Sequence, residues 1–286
     1  MKKKKRKQKV CEVILLIILL CLIVILHKLM QGEKTTHDEI KGISAITSVI
    51  DRSEVPEQRE LNDAEKGTMS VSEMREYIKS HPMLYTEDLL ELSEKNEEAV
   101  EYVYNYPFVG ENDFIIDLSE EVVVDTVPLL LQWDTRWGYC KYGSGLIGYT
   151  GCGPTCLSMV SLFLTGNEKY TPKYIAEYAE REGYYVQGSG TSWELMSSGC
   201  NKFGLKATEL SLDESVILSA LDRGHPIICA MGRGDFTDSG HFIVITGYDG
   251  EGLHINDPNS KDRSEKKWEY SQIKWQIRNL WAFQVR

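Results

Sequence analysis

The pattern of apolar and polar residues predicts helices in the middle of the chain and strands toward its end. Helical signals begin at residues 70 and 86 and cover 96–105, 156–164, 171–181, 192–203 and 211–223. Strand-like runs cover 122–124, 226–230, 242–248, 252–256 and 281–285. Because helices come first and strands follow, rather than alternating with them, we predict an α+β domain over residues 121–286.

An apolar run near the start predicts a membrane helix. Residues 10–30 are 21 mostly apolar residues, which span roughly 31 Å and match the hydrocarbon core of a bilayer. The seven Lys or Arg residues in 1–9 place that tail in the cytoplasm and the remaining body outside the cell membrane. We expect an uncleaved, single-pass signal anchor, since no small-x-small cleavage pattern follows; a cleaved signal peptide is the alternative.

Two further segments separate the anchor from the α+β domain. Residues 31–68 are polar and nearly free of aromatic side chains, which predicts a flexible stalk. Residues 69–120 open with a capping box at 70–73 and predict helices that pack on the following domain. A propeptide-like cover for the cleft of that domain remains open as an alternative function for these helices.

The net charge of -11 conceals an asymmetry along the chain. The first 28 residues hold eight of the 32 basic residues and one of the 43 acidic ones, so the rest carries 24 basic and 42 acidic residues. Such a body repels polyanions, which excludes a nucleic-acid partner. It repels anionic wall polymers as well, unless a basic patch or divalent cations intervene.

Five cysteines lie outside the apolar run, namely Cys140, Cys152, Cys156, Cys200 and Cys229. Since the number is odd, at least one of these thiols has no disulfide partner among them, which points to a reactive cysteine in an exported chain. The sequence leaves open whether the others form two disulfides, one or none. We expect no zinc site and no cofactor, because no second ligand pair matches the spacing of Cys152 and Cys156.

The strongest candidate nucleophile is Cys152. It lies in the segment GCGPT at residues 151–155, which leads directly into an apolar helical pattern ended by Gly166. The unpaired N–H groups and the dipole at a helix N-terminus favour the thiolate, the nucleophilic form of cysteine. We expect the flanking glycines to let a substrate backbone come close. A buried structural cysteine in a capping turn is the alternative reading of the same segment.

The candidate base and its orienting group lie on one predicted hairpin. His241 precedes the first strand, Asp257 follows the second, and a turn at residues 249–252 joins them. Antiparallel pairing brings the start of one strand beside the end of the other, so His241 and Asp257 are predicted neighbours. His225, next to a proline, and His254, in the middle of a strand, are weaker candidates for the base. We expect core or structural roles for Cys156, Cys140 and Cys200.

Four motifs together resemble a known family. QWDTRW at 132–137, GCGPT at 151–155, SGHFIV at 239–244 and NDP at 256–258 resemble papain-like cysteine peptidases related to the bacteriocin-processing peptidases that cleave double-glycine leaders. The resemblance is greatest to the stand-alone branch, which lacks a fused ABC transporter, and it covers residues 127–286. It implies a papain-like fold in which a helical part carries the cysteine and an antiparallel sheet carries the histidine and aspartate.

The resemblance also implies roles for residues of this chain. Cys152 is the nucleophile, His241 the general base and acid, and Asp257 the group that orients the imidazole. Gln132 contributes a side-chain N–H to the oxyanion hole beside the Cys152 backbone N–H. Twenty residues separate Gln132 from Cys152, so residues 138–150 form an insertion relative to the transporter-linked members. The transporter itself is absent from this sequence, so cleavage at a double glycine does not carry over.

These observations predict a membrane-anchored bacterial thiol hydrolase that acts outside the cell on a peptide or protein substrate through a thioester. Peptides of a Gram-positive cell wall are one substrate class. Two other functions stay open from the sequence: a non-catalytic module of the same fold that binds peptides or wall fragments, and an acyltransferase. The acyltransferase shares the first half-reaction with the hydrolase.

Overall fold

The computed structural model describes residues 69–109 and 116–286. The predicted basic tail at 1–9, membrane helix at 10–30 and stalk at 31–68 all lie outside the described residues. Within the two described ranges, none of the helices combines the length and the apolar character needed to cross a bilayer. These ranges belong to one compact unit that extends from Thr68 to Arg286.

Helices occupy the first part of this unit and recur between its strands. The α-helices are α1 Val71–Ser80, α2 Glu87–Lys95, α3 Val100–Asn105, α4 Ile147–Thr150, α5 Cys152–Thr165, α6 Pro172–Arg181, α7 Glu194–Ser197, α8 Glu214–Leu221, α9 Lys261–Glu265 and α10 Tyr270–Ile273. Short 3-10 helices cover Pro82–Leu84, Glu97–Ala99, Tyr106–Phe108 and Gly199–Phe203. The strands are β1 Lys141–Tyr142, β2 Gly145–Leu146, β3 Tyr185–Val186, β4 Gly190–Thr191, β5 Leu205–Glu209, β6 Ile227–Met231, β7 His241–Asp249, β8 Gly252–Asn256 and β9 Ile277–Val285.

An antiparallel sheet of five strands forms the centre of the fold, in the order β5-β9-β6-β7-β8. Successive side chains of a strand point to opposite faces, and both faces are buried. Ile228 and Val244 pack with α5 and α6 in one cluster, whereas Ile227 and Ile245 pack with α8 and α10 in another. The sheet is therefore the middle layer between two helical layers, and β7 and β8, at the ends of which two candidate site residues lie, are part of that layer.

Helices α1 to α3 form an apolar core, and side chains of the following domain pack against it. The Tyr102 and Tyr139 rings stack with centroids 4.5 Å apart. The Tyr102 hydroxyl donates to the Gly138 carbonyl at 2.8 Å, and the Tyr149 hydroxyl donates to the Glu91 carboxylate at 2.7 Å. The aromatic residues of 133–149 thus dock the helical segment 69–109 onto the domain.

Most predicted elements are present, and the α+β class is confirmed. The capping box of Ser70 and Glu73 begins α1 as the sequence indicates. The predicted helix over 192–203 is wrong as a single element, because α7 is followed by a 3-10 helix that ends at Gly204, a glycine in the left-handed conformation. The predicted strand over 122–124 is also wrong. All three valines there are exposed, since none of the described strands pairs with them.

Candidate active site

Cys152 is the first residue of α5, as the sequence indicates. Gly151 occupies the N-cap position and no side chain caps the helix, so backbone N–H groups of the first turn are left without intrahelical acceptors. The Cys152 side chain is half-buried in a cleft. A thiol in this position feels the positive end of a 14-residue helix dipole.

The glycines on either side of Cys152 serve packing rather than substrate access, contrary to the sequence-based expectation. A Cβ at Gly153 would lie 2.7 Å from the Thr191 side chain, and a Cβ at Gly151 would lie 2.5 Å from the Ile147 carbonyl oxygen. Both glycines are buried. They allow α4 and β4 to approach the start of α5, and this close packing holds the thiol in place.

The β7–β8 hairpin brings His241 and Asp257 together, as its predicted register requires. The His241 Nε2 atom lies 2.8 Å from Asp257 Oδ1. Cys152 lines the same two cavities as His241 and is close enough to act electrostatically on its imidazole. Since Asp257 occupies Nε2, Nδ1 is the ring nitrogen left for the sulfur. His241 thus interacts with both a carboxylate and a thiol.

Interactions between His241 and Asp257 favour the charged form of each side chain. Burial disfavours the charged imidazole, but the charge and hydrogen bond of Asp257, with a smaller contribution from Cys152, outweigh burial and raise the pKa of His241 to about 10. Burial likewise opposes ionisation of Asp257, and the nearby His241 and Arg263 more than compensate, so the pKa of Asp257 is lowered. An imidazolium beside a carboxylate is thus the favoured state near neutral pH.

Arg263 is a site residue that sequence reasoning missed. Its Nε atom donates to Asp257 Oδ2 at 2.5 Å, and the Asn259 backbone N–H donates to Oδ1 at 2.8 Å. Asp257 is fully buried, so these donors replace the water that its carboxylate has lost. Arg263 stands in a run of charged residues that is typical of a solvated surface, and only the fold brings it to the aspartate.

Gln132 lines a cavity that also contains Cys152 and His241. Its Nε2 atom donates to the Gly148 and Tyr149 carbonyls at 3.0 and 3.1 Å. The opposite amide orientation would set its oxygen against those two carbonyls. In this structure both N–H groups of the Gln132 amide are therefore engaged by backbone carbonyls.

Two cavities meet at the thiol and the imidazole. One, of about 760 Å³, is lined by the β3–β4 hairpin, Trp193, Met231 and Arg278. The other, of about 450 Å³, has α2 as a wall and includes Asn259 and Arg263. The Lys95 ammonium of α2 lies 3.4 Å from the carboxylate of Asp238, which stands in the loop that leads to His241. Cys152 and His241 therefore lie at the junction of the two cavities.

Comparison with known sequences places this site in a family. The sequence model of the Peptidase C39-like family matches residues 124–284, more than half of the chain. The chain belongs to the Peptidase C39-like family. The matched range of this C39-like domain includes Gln132, Cys152, His241 and Asp257. No curated protein matches the sequence.

Two solved structures are similar to the C39-like domain at low identity. One is the crystal structure of the peptidase domain of Streptococcus ComA, a bi-functional ABC transporter involved in a quorum-sensing pathway. It is 19% identical, the match covers 48% of this chain and 93% of that one, and the TM-score is 0.36. The other is a putative C39-like peptidase from Bacillus anthracis, 16% identical, with coverages of 56% and 96% and a TM-score of 0.31.

The weaker sequence candidates lie away from this centre of the C39-like domain. His254 pairs with Asp249 at 2.7 Å near the hairpin turn, and His225 is a half-buried residue before β6. Cys156 is buried in the core, and burial raises the pKa of its thiol. The cysteines that the structure describes as free thiols include Cys152, Cys156, Cys200 and Cys229.

Proposed function

We propose that the C39-like domain is a cysteine peptidase that cleaves a peptide bond with Cys152 as nucleophile, His241 as general acid and base, and Asp257 as the orienting group. One observation supports this most strongly. The His241 imidazole hydrogen-bonds to the Asp257 carboxylate and, together with Cys152 at the N-terminus of α5, lines both of the cavities that meet there. Nucleophile, base and orienting group in this order are what acyl transfer needs.

Acylation begins with the thiolate of Cys152 and the imidazolium of His241. The sulfur attacks the carbonyl carbon of the scissile bond and a tetrahedral oxyanion forms. The Nδ1 proton of His241 then passes to the amide nitrogen, the carbon–nitrogen bond breaks, and the amine fragment leaves. The products of this half-reaction are a thioester on Cys152 and a neutral imidazole.

Deacylation restores the starting state. Neutral His241 takes a proton from a water molecule, whose oxygen attacks the thioester carbonyl. The carbon–sulfur bond breaks, a carboxylic acid product forms, and Cys152 returns as a thiolate beside the imidazolium. Throughout both steps Asp257 keeps its charge and its hydrogen bond to Nε2, which holds Nδ1 toward the sulfur.

The oxyanion needs N–H donors at the start of α5. The backbone N–H of Cys152 is one, because a residue at the first helical position has no intrahelical acceptor. We propose Gln132 as the second donor, through exchange of one of its bonds to the Gly148 and Tyr149 carbonyls for a bond to the oxyanion.

We propose a substrate class and a location for this enzyme as well. The substrate is a peptide or protein, with cell-wall peptides as one class, and the N-terminal apolar segment anchors the enzyme in the cell membrane with its catalytic domain outside. Two cavities that meet at Cys152 offer room for an extended peptide on either side of the thiol. The net negative charge of residues 29–286 disfavours a polyanion as the bound molecule.

Labelling and cleavage test the proposed function. We expect iodoacetamide to alkylate Cys152 faster than the buried Cys156, and the full chain to cleave members of an internally quenched peptide library. Cys152→Ala should abolish cleavage, while Cys156→Ala should retain it. Cleavage that survives Cys152→Ala would exclude this mechanism, and an unreactive Cys152 without cleavage would favour a binding module. Product analysis with an added amine separates hydrolysis from acyl transfer.

A further inference from the structure

The turn that carries Asp257 sets the direction of its carboxylate. The Ser260 N–H donates to the Asp257 carbonyl at 3.2 Å, and the Asn259 N–H donates to the Asp257 side chain at 2.8 Å. The oxygen atom that faces His241 is therefore held in part by this turn.

Helix α9 and the turn form one hydrogen-bonded unit around the aspartate. Ser260 caps α9 by accepting from the Arg263 N–H at 3.1 Å, and Arg263 reaches back to Asp257. The Ser264 hydroxyl accepts from the Asp257 N–H at 2.9 Å and donates to the Ser260 carbonyl at 2.7 Å. The position of the Asp257 carboxylate therefore depends on the position of this hydrogen-bonded unit.

The helical segment 69–109 holds the unit from outside the family domain. The Glu98 carboxylate accepts from the Ser260 hydroxyl at 2.5 Å and from the Lys261 N–H at 2.7 Å. The Asn96 side chain adds a bond to the Asn259 carbonyl at 2.7 Å. A carboxylate over the first turn of α9 accepts from N–H groups that have no intrahelical acceptor and interacts favourably with the helix dipole.

We propose that Glu98 is a positioning residue for Asp257, and that the helical segment is thereby part of the catalytic machinery rather than a removable cover. This inference rests on the proposed function. Without the Glu98 carboxylate, the Ser260 hydroxyl and the first N–H groups of α9 lose their acceptor and the turn is released. Asp257 can then tilt away from Nε2, and the imidazole loses its orientation toward the thiol.

Two substitutions in the full chain test this role, Glu98→Ala and the milder Glu98→Gln, which keeps one acceptor oxygen. Exposed Glu94 on α2 gives the matched control, Glu94→Gln. On the library peptide that the wild type cleaves fastest, we expect Glu98→Ala to lower kcat about 10- to 100-fold, since small misplacements of catalytic groups have effects of this size. KM should stay within about threefold, and Glu98→Gln should fall between the Ala variant and the wild type.

The pH profile distinguishes positioning from a general loss of stability. If Asp257 is displaced, the imidazolium loses support and the alkaline limb of kcat/KM moves to lower pH in both Glu98 variants, but not in Glu94→Gln. Near-UV circular dichroism verifies the fold; if Glu98→Ala unfolds, Glu98→Gln decides the result. A folded variant with unchanged kcat and alkaline limb, or with a raised KM alone, overturns the inference. An inactive wild type would instead refute the proposed function.

Discussion

Gly153, the residue after the proposed nucleophile, shows how closely packing and chemistry are linked in this site. It is buried, and the nearest atoms to a Cβ at this position belong to Thr191 at 2.7 Å. Thr191 in turn contacts the buried Tyr142 hydroxyl at 2.9 Å, so it has little room to move. A methyl group at residue 153 would therefore push β4 and α5 apart.

We predict that Gly153→Ala lowers the free energy of unfolding by about 1–3 kcal/mol, the usual range for overpacking. Urea denaturation followed by tryptophan fluorescence measures this change. Gly240→Ala is the matched control, since no atom of the described residues lies within 4 Å of a Cβ there, and it should shift the midpoint little. Equal stability of the two variants would show that Thr191 can yield to the methyl group.

At the scale of the elements, α2 contributes both to the core of the helical segment and to the wall of the smaller cavity. Its Leu89 is fully buried in the core of the helical segment, while Glu91, Leu92 and Lys95 line the smaller cavity beside the thiol. Loosening the packing of α2 should therefore be felt both in the stability of the domain and in the cleft.

We predict that Leu89→Ala destabilises the chain by about 2–5 kcal/mol, as is usual for truncation of a buried leucine. We also expect KM for cleaved peptides to rise, because the wall of the cavity moves. Met83→Ala serves as the control, since Met83 is 90% exposed. Thermal denaturation and steady-state kinetics on the same samples give both quantities; a destabilised variant with wild-type KM would separate α2 from substrate binding.

At the scale of the whole molecule, the buried pair of His241 and Asp257 makes stability depend on pH. The pKa of His241 rises from 6.5 to about 10, so its stabilising effect is complete below about pH 6.5 and is lost as pH increases toward 10. The pKa of Asp257 is lowered from 3.8, so its effect is complete above that value and is lost at more acid pH. The pair therefore stabilises the fold most between about pH 4 and 6.5.

We predict that the free energy of unfolding of the wild type falls more steeply between pH 6.5 and 10 than that of His241→Gln. The variant lacks the imidazolium but keeps the other groups that titrate in this range, so the difference between the two curves isolates the pair. Urea midpoints at half-unit pH intervals provide the comparison. Parallel curves would mean that His241 is not held in its charged form by Asp257.

The sequence by itself determined the features that depend on neighbouring residues. The capping box before α1, the glycine that ends α5 and the short turn between β7 and β8 are local signals. The hairpin even predicted the contact of His241 with Asp257, because antiparallel register fixes which ends meet.

Tertiary structure alone decided the features that depend on distant residues. Val122 to Val124 have strand propensity but pair with none of the strands in the described ranges, whereas Leu205–Glu209 is a strand because it pairs with β9. Three contacts of the site join different elements of the fold: the hydrogen bonds from the Gln132 amide to residues 148 and 149, the ion pair of Arg263 with Asp257, and the hydrogen bond from Ser260 to Glu98. No local pattern encodes such contacts, because they form only when separate elements pack together.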